Sequence, residues 1–305
     1  MMKKPTLFLM ILLLPLSLAA LDTGGYAGAY LRMAQGARAM AMGNSTASLP
    51  NDLESVFENP AILASLEDRQ MISAFQFLSL DRSMNSLAMA FPLPPSAAVA
   101  VGWVHAGVKE IEGRNASNQL TENYSSSQDA LFLAFSNFLS SWLSAGLTIK
   151  VFYDQLPEVS ATGLGIDAGI YLQPMEGLSF AFVAKDIRSN ISWDTRKIYD
   201  FGSQRTDTFP RQYLLSAAWN YQRRLLFTGT FKGSTDILPT CHIGLELPLH
   251  DILILRGGID GRSPVVGMGT RYVVWKNIRT HIDYAFVYGA VNEGVSHIFS
   301  WRFIF

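Results

Sequence analysis

Nine ionisable residues stand out for the chemistry they could do: Lys150, Asp167, Lys185, Glu246, Arg256, Arg271, Arg279, Asp283 and Arg302. Each falls at the polar position of a segment in which apolar and polar residues alternate. Strand side chains point alternately to opposite faces, so the nine share the face that turns away from an apolar one. Charges gathered on an enclosed face must be paired or hydrated. The pattern therefore reads as an interior ion-pair network, with the lining of a substrate path as the alternative. Catalysis finds less support. His105, His242, His250, His281 and His297 lie on separate segments, and none has the local spacing of a metal site. His281 and Asp283 share the inward face, but a hydrolase would also need a serine brought to them, and no motif announces one. Cys241 is the single cysteine, so no intrachain disulfide can form. Neither a phosphate-cradling loop nor a basic–aromatic patch is visible. The reading is a non-enzyme with no cofactor, no metal and no nucleic-acid partner.

The elements that must hold these residues are strands. From Leu143 to Tyr153 the odd positions are apolar (Leu143, Ala145, Leu147, Ile149, Val151, Tyr153), and the even ones are mostly small or polar. From Ile278 to Tyr288 the same period places Ile278, Ile282, Tyr284, Phe286 and Tyr288 on one face and Arg279, His281 and Asp283 on the other. About fourteen such segments recur at the spacing of an all-β chain. They start near Ile72, Ser83, Ala97, Asp129, Trp142, Ala161, Leu178, Arg211, Leu225, Cys241, Ile252, Pro264, Ile278 and Val295. Their length suits tilted membrane strands. The connections sort by parity, with the short first outer connection, Asp81-Arg82, as the exception. Val108 to Gln128 and Arg188 to Pro210 are long, whereas Pro92 to Pro95, Phe138 to Ser141 and Lys276-Asn277 are short. Long outer loops alternating with short periplasmic turns are the habit of bacterial barrels. The last segment puts Phe299, Trp301, Phe303 and Phe305 on one face, ordinary where that face meets lipid and a liability in water. Strands in lipid must pair on both edges, so the sheet is expected to close.

Residues 1–20 read as a secretory signal peptide. Lys3 and Lys4 form its basic start, Thr6 to Leu16 its apolar core, and Ser17 to Ala20 its small-residue exit, with cleavage after Ala19 or Ala20. Loss of that segment takes the formal net charge from −1 to −3, which gives no electrostatic pull toward nucleic acid. The composition is 49% hydrophobic and only 16% charged, yet no later run reaches the length of a spanning helix. An exported chain of this kind is a soluble β-rich domain or an outer-membrane barrel, and the loop parity favours the barrel. The expected division is a plug over 21–70 and a transmembrane barrel over 71–305.

The plug segment does not alternate. Asn51 is placed to cap a short helix starting at Asp52, with Asp52 and Glu54 in its first turn. Asn59 is placed to cap another, with Pro60 at its first position. Upstream, Gly36 to Gly43 (Gly-Ala-Arg-Ala-Met-Ala-Met-Gly) permits close approach to a wall. Arg38 and Gly43, followed by Asn59, Pro60 and Ala61 ahead of a barrel, resemble the PorV/PorQ family, a branch of the FadL-like outer-membrane proteins. That resemblance implies a fourteen-stranded barrel in the bacterial outer membrane, with a short helical N-terminal hatch in its lumen. It implies a type IX secretion accessory that binds or shuttles cargo by its C-terminal signal. The alternative it leaves open is a FadL-like channel for hydrophobic small molecules. The implied partners are outer-membrane lipid, the barrel-assembly machinery that reads the terminal aromatics, and either secretion components with cargo or hydrophobic small molecules.

Overall fold

The computed structural model describes residues 25–196, 198, 200–222, 224–250, 252–275, 278–288 and 294–305. The expected signal peptide lies outside them. Sixteen strands form: β1 Gln70–Phe77, β2 Arg82–Leu93, β3 Ala97–Arg114, β4 Leu120–Ser140, β5 Leu143–Gln155, β6 Ser160–Met175, β7 Leu178–Lys185, β8 Asn190–Asp194, β9 Gln204–Thr208, β10 Gln212–Tyr221, β11 Leu225–Ser234, β12 Thr240–Pro248, β13 Leu253–Asp260, β14 Ser263–Trp275, β15 Ile278–Tyr288 and β16 Val295–Ile304. Fourteen of them close an antiparallel ring. β1 pairs β16 with Gln70 opposite Ile304, which seals the seam. β7 pairs β10 with Lys185 opposite Gln212, so β8 and β9 stand outside the ring. They form a hairpin whose β8 lies along the start of β6, Trp193 opposite Ala161. Among the described residues the ring leaves no open sheet edge, as a membrane sheet requires.

The wall's two faces follow the sequence period. Ser144, Thr148, Lys150, Phe152 and Asp154 of β5 are buried, while Leu147, Ile149, Val151 and Tyr153 are exposed on the outside. The exposed belt continues through Phe75, Leu133, Phe182, Leu215, Ile243 and Trp301. Phe299 on β16 and Phe305 just past its end also face out, Trp301 donates from Nε1 to Thr280 Oγ1, and Phe303 lies 4.8 Å from Trp301 between ring centroids.

Two loop expectations change. The long connection from Val108 to Gln128 is mostly strand, because β3 and β4 continue their pairing past the rim to Arg114 and Leu120. Both faces there are polar and solvated, so the period that marks a half-buried strand disappears. Arg188 to Pro210 contains the β8–β9 hairpin. The β13–β14 connection at the same end is only Gly261-Arg262, so the parity of loop lengths is a tendency rather than a rule.

Residues 25–69 thread the lumen from one end to the other. At the end away from Phe305, the Tyr26 hydroxyl donates to Asp236 O in the β11–β12 connection. At the other end, Phe305 N–H donates to Arg69 O. Between them lie a 3₁₀ turn Ala29–Arg32, helix α1 Ala37–Ala41, and 3₁₀ turns Leu53–Phe57 and Pro60–Ser65. Asp52, not Asn51, caps the third of these, its carboxylate accepting from Glu54 N–H. Asn51 instead takes the left-handed conformation with φ 53°. Asn59 and Pro60 behave as expected. Asn59 Oδ1 accepts from Ala61 N–H at 3.0 Å, and Pro60 opens the next turn.

Two cross-strand glycine pairs explain how this segment reaches the wall. Gly146 and Gly169 sit opposite each other on β5 and β6. A Cβ at Gly146 would stand 2.6 Å from the Pro60 and Ala61 backbone, and one at Gly169 would collide with Asn59 Oδ1. Gly244 and Gly258 face each other on β12 and β13. Their missing side chains admit Met42 and Gly43, whose φ of 65° suits glycine. Gly169→Val is therefore expected to eject Asn59 from its notch. Overpacking at about 1–3 kcal/mol adds to loss of a cap at about 1 kcal/mol. Faster limited proteolysis within 44–66, with the strands intact, would report it. Unchanged cleavage would show that the notch does not hold the segment.

Candidate functional site

The lumen charges form two clusters with the hatch between them. In the first, Arg38 on α1 makes a forked pair with Glu246 of β12, Nε to Oε2 at 2.9 Å and Nη2 to Oε1 at 3.1 Å. Its third nitrogen reaches Asp52. Arg302 of β16 holds the other Asp52 oxygen. Arg256 of β13 bridges Glu246 at 2.7 Å and Asp283 of β15 at 2.6 Å. Three guanidiniums thus tie two hatch turns to four strands. A lone buried charge would be costly, and the forked, shared geometry offsets that cost.

In the second cluster, Lys150 of β5 bridges Asp167 of β6 at 2.8 Å and Asp186 after β7 at 2.6 Å. Ser189 also donates to Asp186, at 2.9 Å. Lys185 donates to Phe57 O at 3.0 Å. Nearby, Lys232 of β11 meets Glu58 at 2.5 Å, and Glu58 accepts from Thr46 N–H at 3.0 Å.

Eight of the nine expected charges therefore meet around the hatch in these clusters or beside them; Arg271 is the loosest, 3.9 Å from Glu246 with a side chain 43% exposed. Arg279 is not in either cluster. It is the second residue of β15, stands at the rim 53% exposed, and pairs with Asp68. Asp283 is held by Arg256, while His281 Nδ1 accepts from Arg302 at 2.9 Å, so the two act in different contacts. Sequence reasoning missed Asp186, Lys232 and Glu58, and read Asp52 and Glu54 only as helix-end carboxylates. Lys232 was within reach of the period, since Thr228, Thr230 and Lys232 share one face of β11.

Glu54 is the hatch group most sensitive to pH. Its carboxylate accepts from Ala39 N–H at 2.8 Å and from the Ser300 hydroxyl at 2.9 Å. Burial, and then the negative charges of Asp52 and Asp283, push its pKa up to about 7 against these donors. Asp52 moves the other way: burial opposes ionisation, but Arg302 and Arg38 hold it below its ordinary 3.8. The docked hatch thus binds more protons than the released one between pH 4.5 and about 7. Docking should weaken as pH rises through that window, by on the order of 3 kcal/mol. It should also weaken as pH falls below 3.8, where the released Asp52 takes up a proton that the docked one resists. Hydrogen exchange of the 53–57 amides, corrected for intrinsic rates, should show the greatest protection between these limits. Glu54→Gln should flatten the upper limb, and an unaltered upper limb would assign it elsewhere.

Voids border the hatch at both ends. A polar vestibule of about 810 Å³ opens at the end bearing Arg69 and Phe305, between Leu49 to Asn51 and the wall at Gln173, Ser179, Asn220 and Arg271. A smaller void of about 30 Å³ lies toward the opposite mouth among Leu31, Val56, Phe57, Val104, Phe132 and Lys185. Above it Tyr30, Phe152, Ile191 and Phe209 form an apolar cluster, with Phe152 and Phe209 stacked at 4.6 Å.

No protein-family model and no curated protein matches the chain. Among solved structures it is similar to the Pseudomonas putida toluene transporter TodX, at 13% identity and TM-score 0.62, over 93% of this chain and 97% of that one. A Pseudomonas aeruginosa FadL homologue matches at 11% identity and TM-score 0.60, over 89% and 98%. The CymD monoaromatic hydrocarbon channel matches at 10% identity and TM-score 0.60, over 92% and 98%. At such identities the likeness speaks to architecture. Together with the closed ring and its inner hatch, it gives this chain the fold of the FadL-like outer-membrane channels, a fourteen-stranded barrel.

Proposed function

We propose that this protein is a hatch-gated conduit for small hydrophobic molecules across the bacterial outer membrane. The carrying observation is the apolar cluster of Tyr30, Leu31, Phe152, Ile191 and Phe209, placed over a void at one mouth of the lumen. In this reading that mouth faces outward, as the long loops of single-chain barrels do. The vestibule faces the periplasm, and the Arg38 network holds the gate. The fold shared with TodX, a toluene transporter, and with CymD, a monoaromatic hydrocarbon channel, supports the substrate class. Uptake of radiolabelled toluene by a Gram-negative host lacking such conduits tests it. Expression should raise the initial rate severalfold over empty vector, and equal rates would sink the proposal.

A PorV/PorQ-type secretion accessory is the second reading. It draws on the N-terminal motif and on the polar β3–β4 and β8–β9 hairpins, which give the outer mouth a platform for protein. Purification from native membranes in mild detergent should then recover secretion components and cargo C-termini. In both readings Phe299, Trp301, Phe303 and Phe305 serve as the signal for barrel assembly.

A further inference from the structure

The small void is walled unevenly. Leu31, Val56, Phe57, Val104, Ala130 and Phe132 make it apolar on one side. Lys185 and Gln35 also line it, 6% and 5% exposed, beside Thr148 and the Lys150–Asp167 ion pair, whose two charges answer each other. An ammonium has three donors. Among the described residues, Lys185 uses one hydrogen bond, to Phe57 O, and no carboxylate lies within ion-pair distance. Gln35 is the complement. Its Nε2 donates to Tyr30 O at 3.1 Å and Met33 O at 2.8 Å, which fixes the amide's orientation. Its Oε1 is buried and has no partner. An orphaned buried acceptor costs about 1–3 kcal/mol, so the site gains from a guest that donates to Gln35 and accepts from Lys185. A hydroxyl does both. A plain hydrocarbon does neither, and a carboxylate cannot donate.

We propose that this void is the closed form of a ligand site selecting apolar molecules that carry one hydroxyl, of the phenol class. Lys185 donates to the hydroxyl oxygen, Gln35 Oε1 accepts its proton, and the ring lies against Phe57 and Phe132. The inference rests on the conduit reading and narrows it. About 30 Å³ is room for one or two waters, so a ring enters only when the Ala29–Arg32 turn or Phe57 shifts.

Equilibrium dialysis of the purified barrel in detergent, against a detergent blank, with p-cresol and p-xylene tests the claim, because the two differ chiefly in one hydroxyl. Wild type should bind p-cresol at least about tenfold more tightly, the scale of a hydrogen bond to a charged group. Lys185→Met should collapse that ratio toward one. Leu31→Trp, which fills the void, should lose p-cresol binding and serves if Lys185→Met does not fold. Equal binding of the two compounds by wild type, with the void holding water only, would overturn the site and leave the conduit standing. So would a ratio untouched by Lys185→Met, or p-cresol binding untouched by Leu31→Trp. Binding of neither compound would remove both readings.

Discussion

Deletion of residues 26–65 is expected to turn a closed barrel into an open pore. Those residues carry contacts across the lumen: Arg38 and Asp52 to β12 and β16, Asn59 to Ala61 against β5 and β6, and Tyr30 and Leu31 under Phe209. The wall does not depend on them for its backbone bonds, since the ring closes through β1 and β16 alone. A fourteen-strand ring encloses more space than wall side chains fill, because diameter grows with strand number. Without the hatch the inward charges meet water, which suits them. Conductance in planar bilayers should rise on the order of tenfold or more over the full chain. Slower or faster gel mobility before heating than after it, as folded barrels show, would confirm that the variant still closes.

Arg38→Met is the sharper test, because one side chain is asked to hold the gate. The substitution keeps the length and apolar stem of the residue and removes its fork. Asp52 keeps Arg302 and Glu246 keeps Arg256, so neither carboxylate is left wholly alone. Breaking a buried pair by removing one partner costs about 3–5 kcal/mol. With partners remaining, about 3 kcal/mol is expected, which is roughly a hundredfold in the population of released hatch. Brief openings should appear where the wild type shows almost none. Arg38→Lys should fall between, since a point charge cannot make the bidentate contact to Glu246. Identical opening frequency in wild type and Arg38→Met would mean that the network is incidental to closure.

The barrel was legible because its outer face is uniform. Leu147, Ile149 and Val151 must all meet lipid, so the period of two survives in sequence, and the fourteen segment starts fall on or near the ring strands. The same logic explains what was hidden. β9 reads Gln-Arg-Thr-Asp-Thr and has no apolar face to mark it, and the far halves of β3 and β4 are polar on both sides. The inward charges were legible by parity, but their pairing was not. Arg38 and Glu246 are separated by 208 residues, and Asp52 and Arg302 by 250, and nothing local couples them. Arg279 shows the limit of parity alone, because a strand's first residues lie at the rim whichever face they share. The Gly146–Gly169 notch was equally silent. A glycine in a strand signals a bulge or close approach, without saying what approaches.

Closure of the lumen by the hatch is the claim on which the rest depends. Single-channel recording of the full chain, Arg38→Met and the 26–65 deletion in one bilayer composition tests it most directly. The expected order is near-silence, brief openings, then a steady large conductance. Three indistinguishable traces, or a full chain already as conductive as the deletion, would contradict it.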